Sequence, residues 1–259
     1  LGLERKTALV CGGGGGLGSA VARALAREGA RVAVAGRDQE AAGRTVAAIA
    51  AEGGQAFGVR LDLTDVASLD AALGSIREHS GEVEILFNNG GGPPPSTAAG
   101  QPAERWREQF EAIVVGVIAL TDRVLPAMRE RGWGRIITTT SSGVVAPTPH
   151  LAFSNALRLS LVGWSKTLAS EVAADGVTVN VVVPGRIATR RVRALDEARA
   201  EREGWTVEAA VASSIATIPA GRYGDPEEYA AAVAFLAGEP ASYITGAMLR
   251  IDGGLIPAI

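Results

Sequence analysis

A doubly wound α/β domain, with one parallel sheet covered by helices on both faces, is the fold class this sequence predicts. Three observations carry that prediction. Short apolar runs alternate with helical patterns from one end of the chain to the other. The first apolar run ends in five consecutive glycines and then a helix. Later runs such as Val177-Thr-Val-Asn-Val-Val-Val183 are nearly continuously apolar, as strands buried on both faces must be. The length of 259 residues, 47% of them apolar and 20% charged, fits a single domain spanning 1–259.

Element by element, Thr7 to Cys11 reads as a strand, the glycines 12–16 as a tight turn, and 17–28 as a helix. A strand over 31–36, a helix over 38–52 and a strand over 56–61 complete a βαβαβ unit. The alternation continues with helix 65–79, strand 84–88, helix 104–131, strand 135–140, helix 151–174, strand 177–183, helix 226–237 and strand 247–251. The triple proline at 93–95 stiffens a loop directly after a strand. The region 184–220, with a charge-dense helical piece at 190–203, follows a strand and reads as a binding loop or lid.

Composition excludes several function classes. Twenty-five basic residues against 28 acidic ones give a net charge of -3, with no basic stripe to track a nucleic acid. One cysteine, Cys11, forbids internal disulfides and suits a reducing, cytoplasmic setting. His79 and His150 are too far apart in sequence to form a zinc-spaced cluster, so no metal is expected. No apolar run is long enough to span a bilayer, and residues 1–6 lack a signal-peptide core. Tyrosine occurs only at 223, 229 and 243, and lysine only at 6 and 166.

Glycines between a first strand and a first helix let the backbone approach a pyrophosphate, whose charge then rests on the free amides of the helix N-terminus. The run satisfies two spacings, Gly13-x-Gly15-x-x-Gly18 and Gly12-x-x-x-Gly16-x-Gly18, and spacing does not choose between them; a merely flexible turn is the blander account. A phosphate-binding P-loop is excluded, because Ser19 follows Gly18 and no lysine precedes 166 after the turn. At the end of the second strand an acid would bind a ribose hydroxyl; here Gly36 leaves room and Arg37 can pair with a 2'-phosphate, which favours NADP(H) over NAD(H). Asp38 could serve as the ribose acid, but directly before a helix it reads better as an N-cap.

Cys11-Gly12-(x)3-Gly16-Leu17-Gly18 resembles the glycine turn of the short-chain dehydrogenases/reductases, a Rossmann-type family. Asp62-Leu63 resembles that family's adenine-contacting pair and Asn88-Asn89-Gly90-Gly91 its Asn-Asn-Ala-Gly motif. Pro184-Gly185-Arg186-Ile187-Ala188-Thr189 resembles its Pro-Gly-x-Ile-x-Thr motif, and Asp252-Gly253-Gly254 its chain ending. The resemblance covers nearly the whole chain and extends to the family's 3-oxoacyl-acyl-carrier-protein reductase-like members. It implies an oxidoreductase acting on a small molecule, a homodimer or homotetramer, and a cofactor site built from Gly12, Gly14, Gly15, Gly16, Leu17, Gly18, Arg37, Asp62, Leu63, Asn89, Gly90, Gly91, Pro184, Gly185, Ile187 and Thr189.

The family's catalytic set is a serine that holds the carbonyl, a Tyr-x-x-x-Lys pair that handles the proton and the nicotinamide ribose, and a relay asparagine. Ser142 is the expected catalytic serine, with a strand-end cap as the alternative reading. The pair falls on Phe153 and Leu157, and the relay position on Ile113. No Tyr-x-x-x-Lys occurs anywhere, since no lysine follows a tyrosine. Lys166, nine residues past Leu157, turns to the other side of the helix. The expectation is an apolar pocket wall, a weakened grip on the cofactor and a diverged site. His150 or water would be the proton source there, Tyr223 only if the late loops fold over it, and Arg158 is expected as a solvated or inter-subunit charge. The leading reading is an NADP(H)-dependent oxidoreductase for an apolar carbonyl or alcohol. The alternatives are a catalytically silent cofactor- or partner-binding member, or a non-redox reaction in the same pocket.

Overall fold

A computed structural model describes residues 1–258. Seven strands, β1 (Thr7–Cys11), β2 (Arg31–Gly36), β3 (Gln55–Arg60), β4 (Ile85–Asn88), β5 (Gly134–Thr139), β6 (Val177–Pro184) and β7 (Met248–Ile251), form one sheet in the order β3-β2-β1-β4-β5-β6-β7. Every pairing is parallel. The order reverses between β1 and β4, which opens a crevice beyond their C-terminal ends, the place where open α/β sheets take ligands.

The helices are α1 (Gly16–Arg27), α2 (Gln39–Ala51), α3 (Val66–Ser80), α4 (Ala103–Phe110), α5 (Gly116–Arg131), α6 (Ala152–Val172), α7 (Arg190–Glu203), α8 (Val207–Ile215) and α9 (Pro226–Ala237). Alternation along β1 sends Ala8 and Val10 into a core with Val21, Leu25 and Val233 of α1 and α9. Leu9 and Cys11 go to the opposite core with Leu69, Leu120 and Leu168 of α3, α5 and α6. The expected helix over 104–131 is interrupted by a π-helical segment, Glu111–Val115, between α4 and α5. The charged piece at 190–203 is α7, and α8 within the late region was not foreseen; Thr206 caps it by accepting from the Ala209 amide. No helix among the described residues is long and apolar enough to cross a membrane.

Candidate functional site

Two adjoining cavities, about 580 and 540 Å³, run as one cleft over the switch point and share Gly12, Gly14, Gly15 and the 89–92 segment. At one end the wall is mostly backbone. Gly12 has φ +63°, a conformation glycine adopts freely, and its Cβ position is filled by Asn89. Asn89 Nδ2 donates to the Cys11 carbonyl at 3.2 Å and ties the end of β4 to that of β1. Gly15 is the N-cap of α1 and offers no side chain to the first amides of that helix, while a Cβ there would meet nothing within 4 Å. This open, uncapped helix start suits a diphosphate. Gly18 does not line the cleft: a Cβ there would stand 2.2 Å from the Gly12 carbonyl oxygen, so this glycine serves the contact of α1 with its own turn.

Arg37, Asp62 and Leu63 line the same end. Asp38 caps α2 by accepting from the Ala41 amide at 3.0 Å, which occupies it as a cap. Asp62 accepts from the Thr64 amide and hydroxyl, and those bonds hold its carboxyl below the usual range. Cys11 borders the cleft at the end of β1, but its thiol lies in the core, where burial pushes it up to about 12, so it supplies no nucleophile.

The far end, where β5 and β6 stop, is walled by side chains. Pro184, Gly185, Ile187 and Thr189 line it, together with Thr139, Ser141, Ser154 and Arg158. Ser142 lines neither cavity; it opens a one-turn helix and its carbonyl accepts from the amides of Val145 and Ala146, so the serine on the cavity is Ser141. Phe153 and Leu157 do not form the pocket wall: they are buried in a core with Ile113, Val114, Val117 and Leu161. The next residue round the helix in each case, Ser154 and Arg158, faces the cavity at the same four-residue spacing, because one residue of slip turns a helix by about 100°. His150 lines a separate cavity of about 290 Å³ with Pro149, Arg186 and Arg199.

Arg158, expected as a solvated or inter-subunit charge, is 6% exposed within the chain. Its Nη1 donates to the Thr139 carbonyl at 3.1 Å and its Nη2 to the Gly90 and Gly91 carbonyls at 3.3 and 3.2 Å. Burial draws the guanidinium down to about 10, which leaves it cationic at neutral pH. Ser154 is also buried and its hydroxyl makes no hydrogen bond within the protein, yet it is not sealed off and opens to the cavity. Asn155, between them, grips the preceding loop: its amide donates to the Thr148 carbonyl at 2.8 Å and its oxygen accepts from the Thr148 amide at 3.3 Å. Beneath the site Thr139 shares a 2.7 Å hydrogen bond with the buried Tyr229 hydroxyl of α9.

Neither Tyr223 nor Lys166 reaches this end. Tyr223 donates to Asp196, and Lys166 donates to the Gly246 carbonyl beside β7. Helix α7 closes over the cavity. Its buried Asp196 accepts from Arg186 at 2.7 Å and from Tyr223 at 2.9 Å, and Arg191 donates to the Pro93 carbonyl at 2.6 Å. The residue-by-residue signal for Ser154 and Arg158 lay in the helix's own periodicity: Phe153, Leu157 and Leu161 form an apolar stripe, and the polar face begins one residue later.

Sheet order, glycine turn and cleft together define a doubly wound α/β protein with its site at the switch point. The chain belongs to the short-chain dehydrogenase/reductase family: the family model described as enoyl-(acyl carrier protein) reductase matches residues 13–256. The chain is 38% identical over 255 residues to the 3-oxoacyl-(acyl-carrier-protein) reductase FabG of Salmonella typhimurium, covering 97% of this chain and 98% of that protein. The FabG of Escherichia coli is 38% identical over 253 residues with the same coverage. Among solved structures, a variant of actinorhodin polyketide ketoreductase with NADPH superposes with a TM-score of 0.94 at 34% identity over 98% of each chain. The L-sorbose reductase of Gluconobacter frateurii, complexed with NADPH and L-sorbose, has a TM-score of 0.93 at 29% identity over 100% of this chain and 99% of that one.

Proposed function

We propose that this protein is an NADP(H)-dependent oxidoreductase of a carbonyl or alcohol substrate with a diverged catalytic set, Ser141, Ser154 and Arg158. The observation that carries the reading is the continuity of the cleft, from a glycine turn and an uncapped helix start to a cavity holding two hydroxyls and a guanidinium. Gly12, Gly14, Gly15, Gly16 and Leu17 would hold the diphosphate, Asp62 and Leu63 the adenine, and Arg37 a 2'-phosphate. NADP(H), when bound, exchanges a hydride with the substrate carbon. Ser141 and Ser154 hydrogen-bond the substrate oxygen, which exchanges its proton with a hydroxyl or water, and the Arg158 charge favours negative charge developing nearby. The ground for an apolar substrate falls with the apolar wall. Similarity to relatives described as reductases, two of them solved with NADPH, supports the reading.

Titration of the purified protein with NADPH and NADH, followed by calorimetry, tests it. NADPH should bind about tenfold more tightly, the scale of one charge-assisted contact, and Arg37→Ser should erase that margin. Absence of NADPH binding at millimolar concentration would overturn the reading. A catalytically silent, partner-binding protein is the second reading, favoured by the absence of any tyrosine from the described residues of the cavity wall. Binding without turnover across a carbonyl panel would select it. Assembly as a dimer or tetramer and residence in the cytoplasm are proposed on the family resemblance alone.

A further inference from the structure

Arg158 is a buried cation without a counter-ion. Three backbone carbonyls solvate it, but no carboxylate acts on it; burial disfavours its charge most, the Tyr229 hydroxyl favours it and the nearby Arg191 opposes it. Leaving a charge buried and unpaired costs several kcal/mol, and proteins avoid it unless a partner arrives. The surroundings repeat the imbalance. No aspartate or glutamate among the described residues lines this cavity, whereas Arg44, Arg158, Arg190 and Arg191 do. Only Arg44 has its acid, Glu40 at 2.6 Å. The Arg191 guanidinium lies over Gly92, where a Cβ would come within 3.0 Å of its Nε, and so roofs the same cavity.

The missing negative charge is not the diphosphate's by position. That group belongs at the glycine turn and the start of α1, whereas Arg158 is bonded to the end of β5 and to the loop after β4, one helical turn from Ser154. We infer that the substrate is an oxo acid, or the corresponding hydroxy acid, whose free carboxylate is received by Arg158 and Arg191 while its carbonyl lies against Ser141 and Ser154. A guanidinium is the side chain best matched to a carboxylate. The inference rests on the redox reading of the site and adds the substrate class. In the reaction the carbonyl carbon gains a hydride from the reduced cofactor, the C=O π pair moves to oxygen, and that oxygen takes a proton from a hydroxyl or water. The carboxylate is unchanged and only anchors.

The test pairs acids with their neutral esters. After NADPH titration, protein loaded with NADP⁺ is titrated with pyruvate, acetoacetate and levulinate, each beside its methyl ester, and NADPH-dependent turnover is followed for every pair. At least one acid should bind about 30-fold more tightly than its ester. Arg158→Met should collapse that ratio to about threefold or less, and Arg158→Lys should keep part of it. Arg191→Met, on a solvent-accessible residue, should lower the ratio without affecting folding. Every acid–ester ratio staying within threefold in the parent, or a ratio preserved in both Arg158→Met and Arg191→Met, overturns the substrate class. Arg158→Met weakening NADPH binding with the acid–ester ratio intact overturns it also, and assigns the arginine to the cofactor. Failure of NADPH to bind at all, with acids still preferred over esters, instead sinks the redox reading and leaves an anion-binding cavity.

Discussion

The two ends of the cleft are made of different material. Where β1 and β2 stop, the wall is main chain, from Gly12, Gly14, Gly15 and Gly36, and a Cβ at Gly15 or Gly36 would meet only open space. Where β5 and β6 stop, it is side chain: Thr139, Ser141, Ser154 and Arg158, the last two from a single turn of α6. A backbone wall depends on where glycines fall along the chain. A side-chain wall depends on which way a helix is turned, and there one residue exchanges hydroxyl and guanidinium for phenyl and isobutyl.

The sharpest way to break that contrast is to put one chemical pair on each side of α6. Phe153→Tyr with Leu157→Lys drives an amine into the core beside Ile113 and Val117. It should cost about 3 to 5 kcal/mol, the scale of an uncompensated buried charge, read as a fall in the denaturant midpoint. Ser154→Tyr with Arg158→Lys places the same groups on the cavity. This variant should fold and should raise NADPH-dependent reduction of a neutral ketone at least about tenfold, within the usual contribution of a general acid. Equal behaviour of the two pairs would mean that the faces of α6 are misassigned.

At the backbone end the corresponding pair is Gly18→Ala and Gly15→Ala. The first sets a methyl 2.2 Å from a carbonyl oxygen that cannot retreat, and should cost about 3 kcal/mol, the upper range for overpacking, together with cofactor binding. The second has room and an extended backbone at φ -130°; it should leave the melting temperature within a few degrees and weaken only NADPH binding. Loss of stability in both would show the turn to be structural throughout.

Smaller effects test what holds the side-chain end together. Asp196→Ala removes the acceptor of both Arg186 and Tyr223, and should destabilise by about 2 kcal/mol, since Arg186 can still reach water. Faster proteolysis within 186–223 would locate the loss in α7. The least effect is expected at Glu228, at the start of the helix that props Thr139 through Tyr229. Arg222 and the Asp225 amide lower its carboxyl from 4.5 to about 2. A carboxyl so depressed contributes stability above its ordinary pKa and loses it as pH falls from about 4.5 to 2. Glu228→Gln should flatten that part of the melting profile, with a small loss of stability at pH 7 and none near pH 2.

Much of this molecule was legible in the sequence, for reasons that differ by region. The seven strands and the glycine turn follow from apolar runs and glycine placement, which are local signals, and Asp38 read correctly as a cap because capping is local too. Motif spacing alone points to Ser142 and to Phe153 with Leu157, one residue away from the cavity-facing Ser141, Ser154 and Arg158, because spacing carries no information on which residues the core takes. The stripe of Phe153, Leu157 and Leu161 had already spoken for that face. Arg158 was read as exposed because charge usually is; its three carbonyl partners come from β5 and from the loop after β4, contacts that no local pattern announces. α8 lay in a stretch without apolar periodicity and was passed over.

Asn155 holds the loop before α6 by both ends of one amide, taking the main-chain amide and carbonyl of Thr148 together. That double grip ties the loop that follows Ser141 to the first turn of the helix. Ser141 and Ser154 therefore keep their spacing before anything enters, and the cavity acts there as a mould rather than a clamp. Discrimination by shape on that side is settled in folding and not in the encounter, and whatever adjustment a visitor requires must come from the α7 side.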